Sequence, residues 1–152
     1  RIKVLKEMFP NAKFIFIHRN PYEVYQSTVH LYKKTIKSQF LQQFSDDKIS
    51  ECVISCYELV MQQYLELKNS IPKNQLTEVS FNELSNKPLS TLERVYNTLN
   101  IEGFEKIKPS FESYIREQKN YQKNKFKDLP EELKSKLKNR WGFAFKAWDY
   151  PY

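Results

Sequence analysis

The stretch Lys13-Phe14-Ile15-Phe16-Ile17-His18-Arg19-Asn20-Pro21 constrains this chain more than any other. Its uninterrupted β-branched and aromatic run predicts a strand over 13–18, buried on both faces of a parallel sheet. Asn is a favoured N-cap and Pro is favoured at the first helical position, so a helix is expected from Pro21. That helix should reach about Lys37, with Val24, Ser27, Thr28, Leu31 and Tyr32 along one side. A strand feeding straight into a helix is the unit from which α/β folds are built.

The rest of the chain repeats the alternation. Ile2, Leu5 and Met8 predict a short helix stopped by Pro10. Ser45-Asp46-Asp47 precedes a long one from Lys48 to about Asn69, and Leu76 to Phe81 predicts a second strand. Pro88 opens a helix through Leu99. Another is expected after Pro109 to about Lys119, and a last one from Pro130, after a basic extended stretch from Tyr121 to Leu129. The order is α-β-α-α-β-α-α-α, an α/β architecture with few parallel strands, about 13–18 and 76–81, flanked by long helices. Two strands make a poor sheet. The expectation is that residues 1–152 are the C-terminal portion of one domain whose other strands lie upstream.

A strand ending in Arg-Asn-Pro before a helix brings together the features of an anion site. The first helical turn has unpaired N–H groups and the positive end of the dipole. Arg19 adds a planar fork suited to a phosphate, at the carboxyl end of a parallel strand, where open α/β sheets bind ligands. Ser27, about two turns into the helix, supplies a hydroxyl if its face turns to the same place. The bland alternative is that Arg19 pairs with an acid and Ser27 packs; local physics weighs the two equally. The net charge of +7, from 25 Lys and Arg against 18 acids, suits an anionic partner but also serves plain solubility. The basic cluster of Arg116, Lys119, Lys123, Lys125 and Lys127 is more local. Glycine is scarce: Gly103 and Gly142 are the only two, so no glycine-rich loop can cradle a phosphate here.

Cys52 and Cys56, spaced i,i+4 on a helix, form no disulfide framework; they point to a reducing compartment and are expected as buried, inert thiols. With His18 and His30 alone beside them, no metal site is expected. No apolar run approaches the roughly 18 residues of a membrane span, and no leader pattern is visible, so the expected location is cytoplasmic.

The segment from Phe9 to Ser27 (Phe9-Pro10-Asn11-Ala12, the apolar strand, Arg19-Asn20-Pro21, then Val24 and Ser27) closely resembles the 3'-phosphate-binding segment of sulfotransferases. Val79-Ser80-Phe81-Asn82-Glu83-Leu84, followed by Pro88, Leu92, Val95, Leu99 and Ile101, looks like that family's Tyr-Glu-Asp-Leu strand end and following helix. Lys123-Asn124-Lys125-Phe126 before a Pro-led helix with Trp141 is similar to its C-terminal end. The resemblance touches most of the chain and is specific in its first part.

It implies a P-loop-like sulfotransferase fold, with 3'-phosphoadenosine 5'-phosphosulfate as cosubstrate and no metal. The sulfuryl group would pass to an acceptor hydroxyl or amine. Arg19 and Ser27 would hold the 3'-phosphate. Phe81 stands where the family often has a Tyr near the adenine, keeping the ring and losing the hydroxyl. Lys123, and more loosely Lys125, fall where the family's tail covers the phosphates. The family's 5'-phosphosulfate loop and its catalytic Glu or His lie upstream of this segment, so neither is assigned; His18 and His30 are poor candidates for the base. By itself the chain is not expected to turn over. The acceptor is left open among glycan, peptide, lipid and small molecule. The competing reading is a basic module binding nucleic acid or another polyanion without catalysis. Alternating aromatics and lysines from Tyr114 to Phe126 favour it; the lack of a recognisable nucleic-acid motif disfavours it. A kinase half is disfavoured too, since no strand ends in a metal-binding Asp.

Overall fold

A computed structural model describes residues 2–35, 42–118, 124 and 126–152. The elements are α1 (Ile2–Met8), β1 (Phe14–His18), α2 (Pro21–Lys34), α3 (Asp46–Lys68), β2 (Leu76–Ser80), α4 (Phe81–Asn86), α5 (Pro88–Thr98), α6 (Phe104–Glu117) and α7 (Glu131–Ala147). They fall into two compact units, one of Arg1–Arg19 with Leu65–Lys123, the other of Asn20–Tyr64 with Asn124–Tyr152. The chain is α/β, as expected, with helices predominating over a two-stranded sheet.

In the first unit β1 and β2 pair in parallel, Phe14 opposite Leu76 through His18 opposite Ser80. Side chains alternate across a strand, so Ile15, Ile17, Thr77 and Val79 share one face. Val79 is buried there with Val95 of α5 and Leu99 just after that helix, and Leu84 of α4 packs against them. Pro88 fixes the start of α5. Its end is a left-handed Asn100 at φ 51°, with the Ile101 amide donating back to the Tyr96 carbonyl at 2.8 Å. Tyr96, Phe104 and Phe111 join α5 to α6 through edge-on and tilted rings 5.3–6.3 Å apart.

Three expectations are corrected in this unit. β1 is not buried on both faces: Ile15 and Ile17 are each 52% exposed, because α4 and α5 cover the face over β2 and not over β1. Phe81 does not end a strand but opens α4, since the Ser80 hydroxyl caps the Glu83 amide at 3.0 Å. α6 starts at Phe104, not after Pro109, which lies inside the helix.

The second unit is built from α2, α3 and α7 around a core of Tyr25, Val53, Ile54, Leu137, Trp141 and Phe145. Trp141 is fully buried, its ring 4.1 Å from that of Tyr57, and its indole N–H donates to the Ile54 carbonyl at 3.0 Å. Burial pushes the Tyr57 hydroxyl well above its ordinary range. The Tyr25 hydroxyl meets Ser50 Oγ at 2.7 Å. On the rim, Arg140 of α7 donates to Glu51 at 2.9 Å and to Glu58, while Lys136 meets Glu51 at 2.7 Å. Hydrogen bonds from Lys136 and Arg140 hold the Glu51 carboxyl below its usual range. Cys52 and Cys56 are exposed on α3, not buried: the core rows of that helix are Ile49, Val53, Ile54 and Tyr64.

Candidate functional site

The carboxyl ends of the two parallel strands place the first predicted site residue. His18 opposes Ser80 as the last pair in register, so Arg19 and Phe81 occupy equivalent next positions. They meet: the Arg19 guanidinium carbon lies 4.4 Å from the centroid of the Phe81 ring. A cation over an aromatic face gains about 0.5–1 kcal/mol at an exposed site. The ring therefore restricts a long side chain that otherwise has much rotamer freedom to lose on binding. The nearby carboxylate of Glu83 receives Arg94 at 2.8 Å. His18 is half-buried, and burial lowers its pKa from the ordinary 6.5 against the opposing pull of Glu78 and Glu83.

The second predicted residue, Ser27, lies half-buried on α2 in the other unit. α2 begins as its sequence predicts. Asn20 Oδ1 accepts the Tyr22 amide at 2.9 Å, Pro21 occupies the first turn, and the Val24 amide bonds the Asn20 carbonyl. This changes the chemistry expected of that helix end. Pro21 has no N–H and the Tyr22 amide is taken by Asn20, so the first turn offers an anion fewer donors than a bare end. An anion bound there would rest more on side chains than on the helix end.

Lys123 and Lys125 lie outside the described residues. The basic stretch that contains them is nevertheless tied to α2 farther on. Gln26 Nε2 donates to the Lys127 carbonyl at 2.5 Å, and the Phe126 ring packs edge-on against His30 at 5.7 Å. Gln26 precedes Ser27 and is not marked by its local pattern, because its partner is distant in the chain. His30 is exposed and engaged with Phe126, which does not recommend it as a base. Among the described residues no cluster of three or more His, Cys, Asp or Glu side chains could hold a metal ion.

With this geometry in place, comparison with known proteins identifies the class. The model of the sulfotransferase family matches residues 1–106, and the chain belongs to that family. It is 33% identical over 150 residues to the omega-hydroxy-beta-dihydromenaquinone-9 sulfotransferases of Mycobacterium bovis and Mycobacterium tuberculosis. The match covers 99% of this chain and 38% of the length of each relative. No solved structure matches. The matched region contains β1, Arg19, Ser27 and Phe81. No helix among the described residues is long and apolar enough to cross a membrane.

Proposed function

We propose that this chain is the C-terminal portion of a sulfotransferase domain and anchors the 3'-phosphate of 3'-phosphoadenosine 5'-phosphosulfate. Arg19 provides the charged fork, Ser27 a hydroxyl, and the stretch containing Lys123 further positive charge, while the Phe81 ring lies beside the adenine. The observation that carries the reading is Arg19 poised over Phe81 at the carboxyl ends of two parallel strands. The whole domain transfers the sulfuryl group to an acceptor hydroxyl or amine, with the 5'-phosphosulfate loop and the base supplied by the rest of the domain. Its further strands would lie along the β1 edge, where Ile15 and Ile17 are half exposed. The names of the relatives make a hydroxyl on an apolar lipid the acceptor class to carry forward.

Calorimetric titration and thermal shift with 3'-phosphoadenosine 5'-phosphate test the reading. A ligand at 100 times its Kd stabilises a folded protein by about 2.7 kcal/mol, and Arg19→Ala should remove about half of that response or more. No shift at millimolar nucleotide would refute the reading. So would equal stabilisation by a generic polyanion that is insensitive to Arg19, which favours the polyanion-binding alternative.

A further inference from the structure

α3 carries the chain's two cysteines, Cys52 and Cys56, about one helical turn apart and both exposed. The i,i+4 spacing puts the two side chains side by side on one face of the helix. Their sulfurs stand 3.9 Å apart. The helix opposes closing that gap to a disulfide: Cβ atoms at i,i+4 lie about 5–6 Å apart, against about 3.5–4.5 Å across a disulfide. A single bridging atom fits instead. Two metal–thiolate bonds of about 2.3 Å to sulfurs at this distance enclose an angle of about 116°, close to the tetrahedral geometry of zinc. Desolvation, and then the bond to Cys56, raises the Cys52 thiol above its ordinary pKa, so a bound ion must displace protons near neutral pH.

We infer that Cys52 and Cys56 chelate one thiophilic divalent metal ion, of the zinc or cadmium type, in an open site completed by water. Each S–H bond is replaced by a sulfur–metal bond, two protons pass to solvent, and no electrons are exchanged. Three observations select this ligand. Thiolates are soft donors and do not suit magnesium or calcium, and among the described residues no carboxylate lines the clefts beside the pair. Two thiolates with a divalent ion make a neutral complex. That suits the cleft of about 320 Å³ which Cys52 shares with Tyr32, Phe44 and Ile49, where an uncompensated charge would be costly. Lys48, in the same lining, has the wrong sign to ligate a cation, so ligation falls to the thiols. Two protein ligands are fewer than the four of a closed structural zinc centre, and the exposure of both thiols leaves the remaining positions within reach of solvent.

The test is a cadmium chloride titration of the reduced full chain, free of added thiol, read by thiolate-to-cadmium charge-transfer absorption and by native mass. One ion should bind per chain, with a mass that shows two protons lost. Cys52→Ser and Cys56→Ser should each weaken binding about 100-fold or more, because a single donor loses the effective concentration that the second one gives. Cys56→Ser combined with Leu59→Cys, at an exposed position, keeps two thiols but sets them about 10 Å apart along the helix. It should bind as weakly as the single variants. Excess zinc should compete with cadmium, and millimolar magnesium should not. The site is overturned if no ion binds at micromolar cadmium, if either serine variant keeps full affinity, or if the respaced pair binds as tightly as the native one. Competition by magnesium would also overturn it, since that marks carboxylates rather than thiols. One ion per two chains would overturn the open site, since that marks a four-thiolate bridge between copies.

Discussion

The contact between Arg19 and Phe81 allows the proposed nucleotide site to be dissected by a double-mutant cycle. Arg19→Ala removes charge-assisted hydrogen bonds to a phosphate, worth about 1.5–3 kcal/mol, so affinity for 3'-phosphoadenosine 5'-phosphate should fall about 10- to 150-fold. Phe81→Ala acts in two ways. It removes any stacking on the adenine, and it removes the surface that holds the guanidinium 4.4 Å from the ring. The second effect is worth about 0.5–1 kcal/mol and exists only while Arg19 is present. The cycle should therefore give a coupling of that size for 3'-phosphoadenosine 5'-phosphate and none for adenosine 5'-phosphate, which lacks the 3'-phosphate. Phe81→Leu, keeping apolar bulk without a ring face, should reproduce the coupling while leaving the fold intact. Calorimetric titration of the four variants with both nucleotides reads the result. Strict additivity for the bisphosphate would refute the idea that Phe81 works through Arg19. Equal losses for both nucleotides in Phe81→Ala would make it an adenine contact alone.

The packing and the titrating groups yield three further outcomes. Trp141→Ala should cost about 3–5 kcal/mol in denaturant unfolding, and Trp141→Phe about 1 kcal/mol or more from the lost bond to the Ile54 carbonyl; a loss below about 0.5 kcal/mol in the alanine variant would mean the core is not packed as described. His18 has its folded pKa lowered below 6.5 by burial, so the unfolded chain binds the proton more readily. The stability it contributes should be complete above pH 6.5 and fall as pH drops from there toward the folded pKa, and the slope from this group should vanish in His18→Asn. Arg140→Ala should destabilise by about 1 kcal/mol, since its partners Glu51 and Glu58 are part-exposed; the loss should shrink in about 1 M salt, and an effect unchanged by salt would argue for packing of the side-chain stem instead.

Legibility in the sequence differs from element to element. β1 and the start of α2 were readable, because an apolar β-branched run and an Asn-Pro cap are each sufficient local signals. α4 was signalled by Ser80-Phe81-Asn82-Glu83, a capping box, but the same residues resemble a strand end, and one position decides between them. Pro109 misled because proline marks helix starts more often than interiors; the left-handed Gly103, at φ 84°, was the true boundary. The exposure of Cys52 and Cys56 could not be read, since α3 has apolar residues on more than one face and sequence alone does not say which face the neighbours cover. The Arg19–Phe81 contact is legible only once the strand register is known, for the two residues are far apart in the chain and neither local pattern says that they touch.

The register also bears on the chemistry. A sulfuryl transfer needs positive charge at the transferring group and a base at the acceptor, whereas holding a 3'-phosphate needs only a cation and donors fixed in place. The described residues fit the proposed anchoring, because Arg19 is steadied by an aromatic ring and a basic segment is tied to α2 beside Ser27. They offer no base set out for transfer, since His18 lies half-buried at a strand end and His30 is packed against Phe126. The half-exposed Ile15 and Ile17 fit the same division. A strand whose sequence is apolar on both faces but covered on one has the composition of an interior strand, and in a sulfotransferase domain its neighbour is where the sulfate-holding loop would be sought. On this reading, nucleotide affinity and catalysis are separable: the chain should bind the bisphosphate through Arg19 and yet transfer no sulfuryl group until the complementary portion of the domain is present.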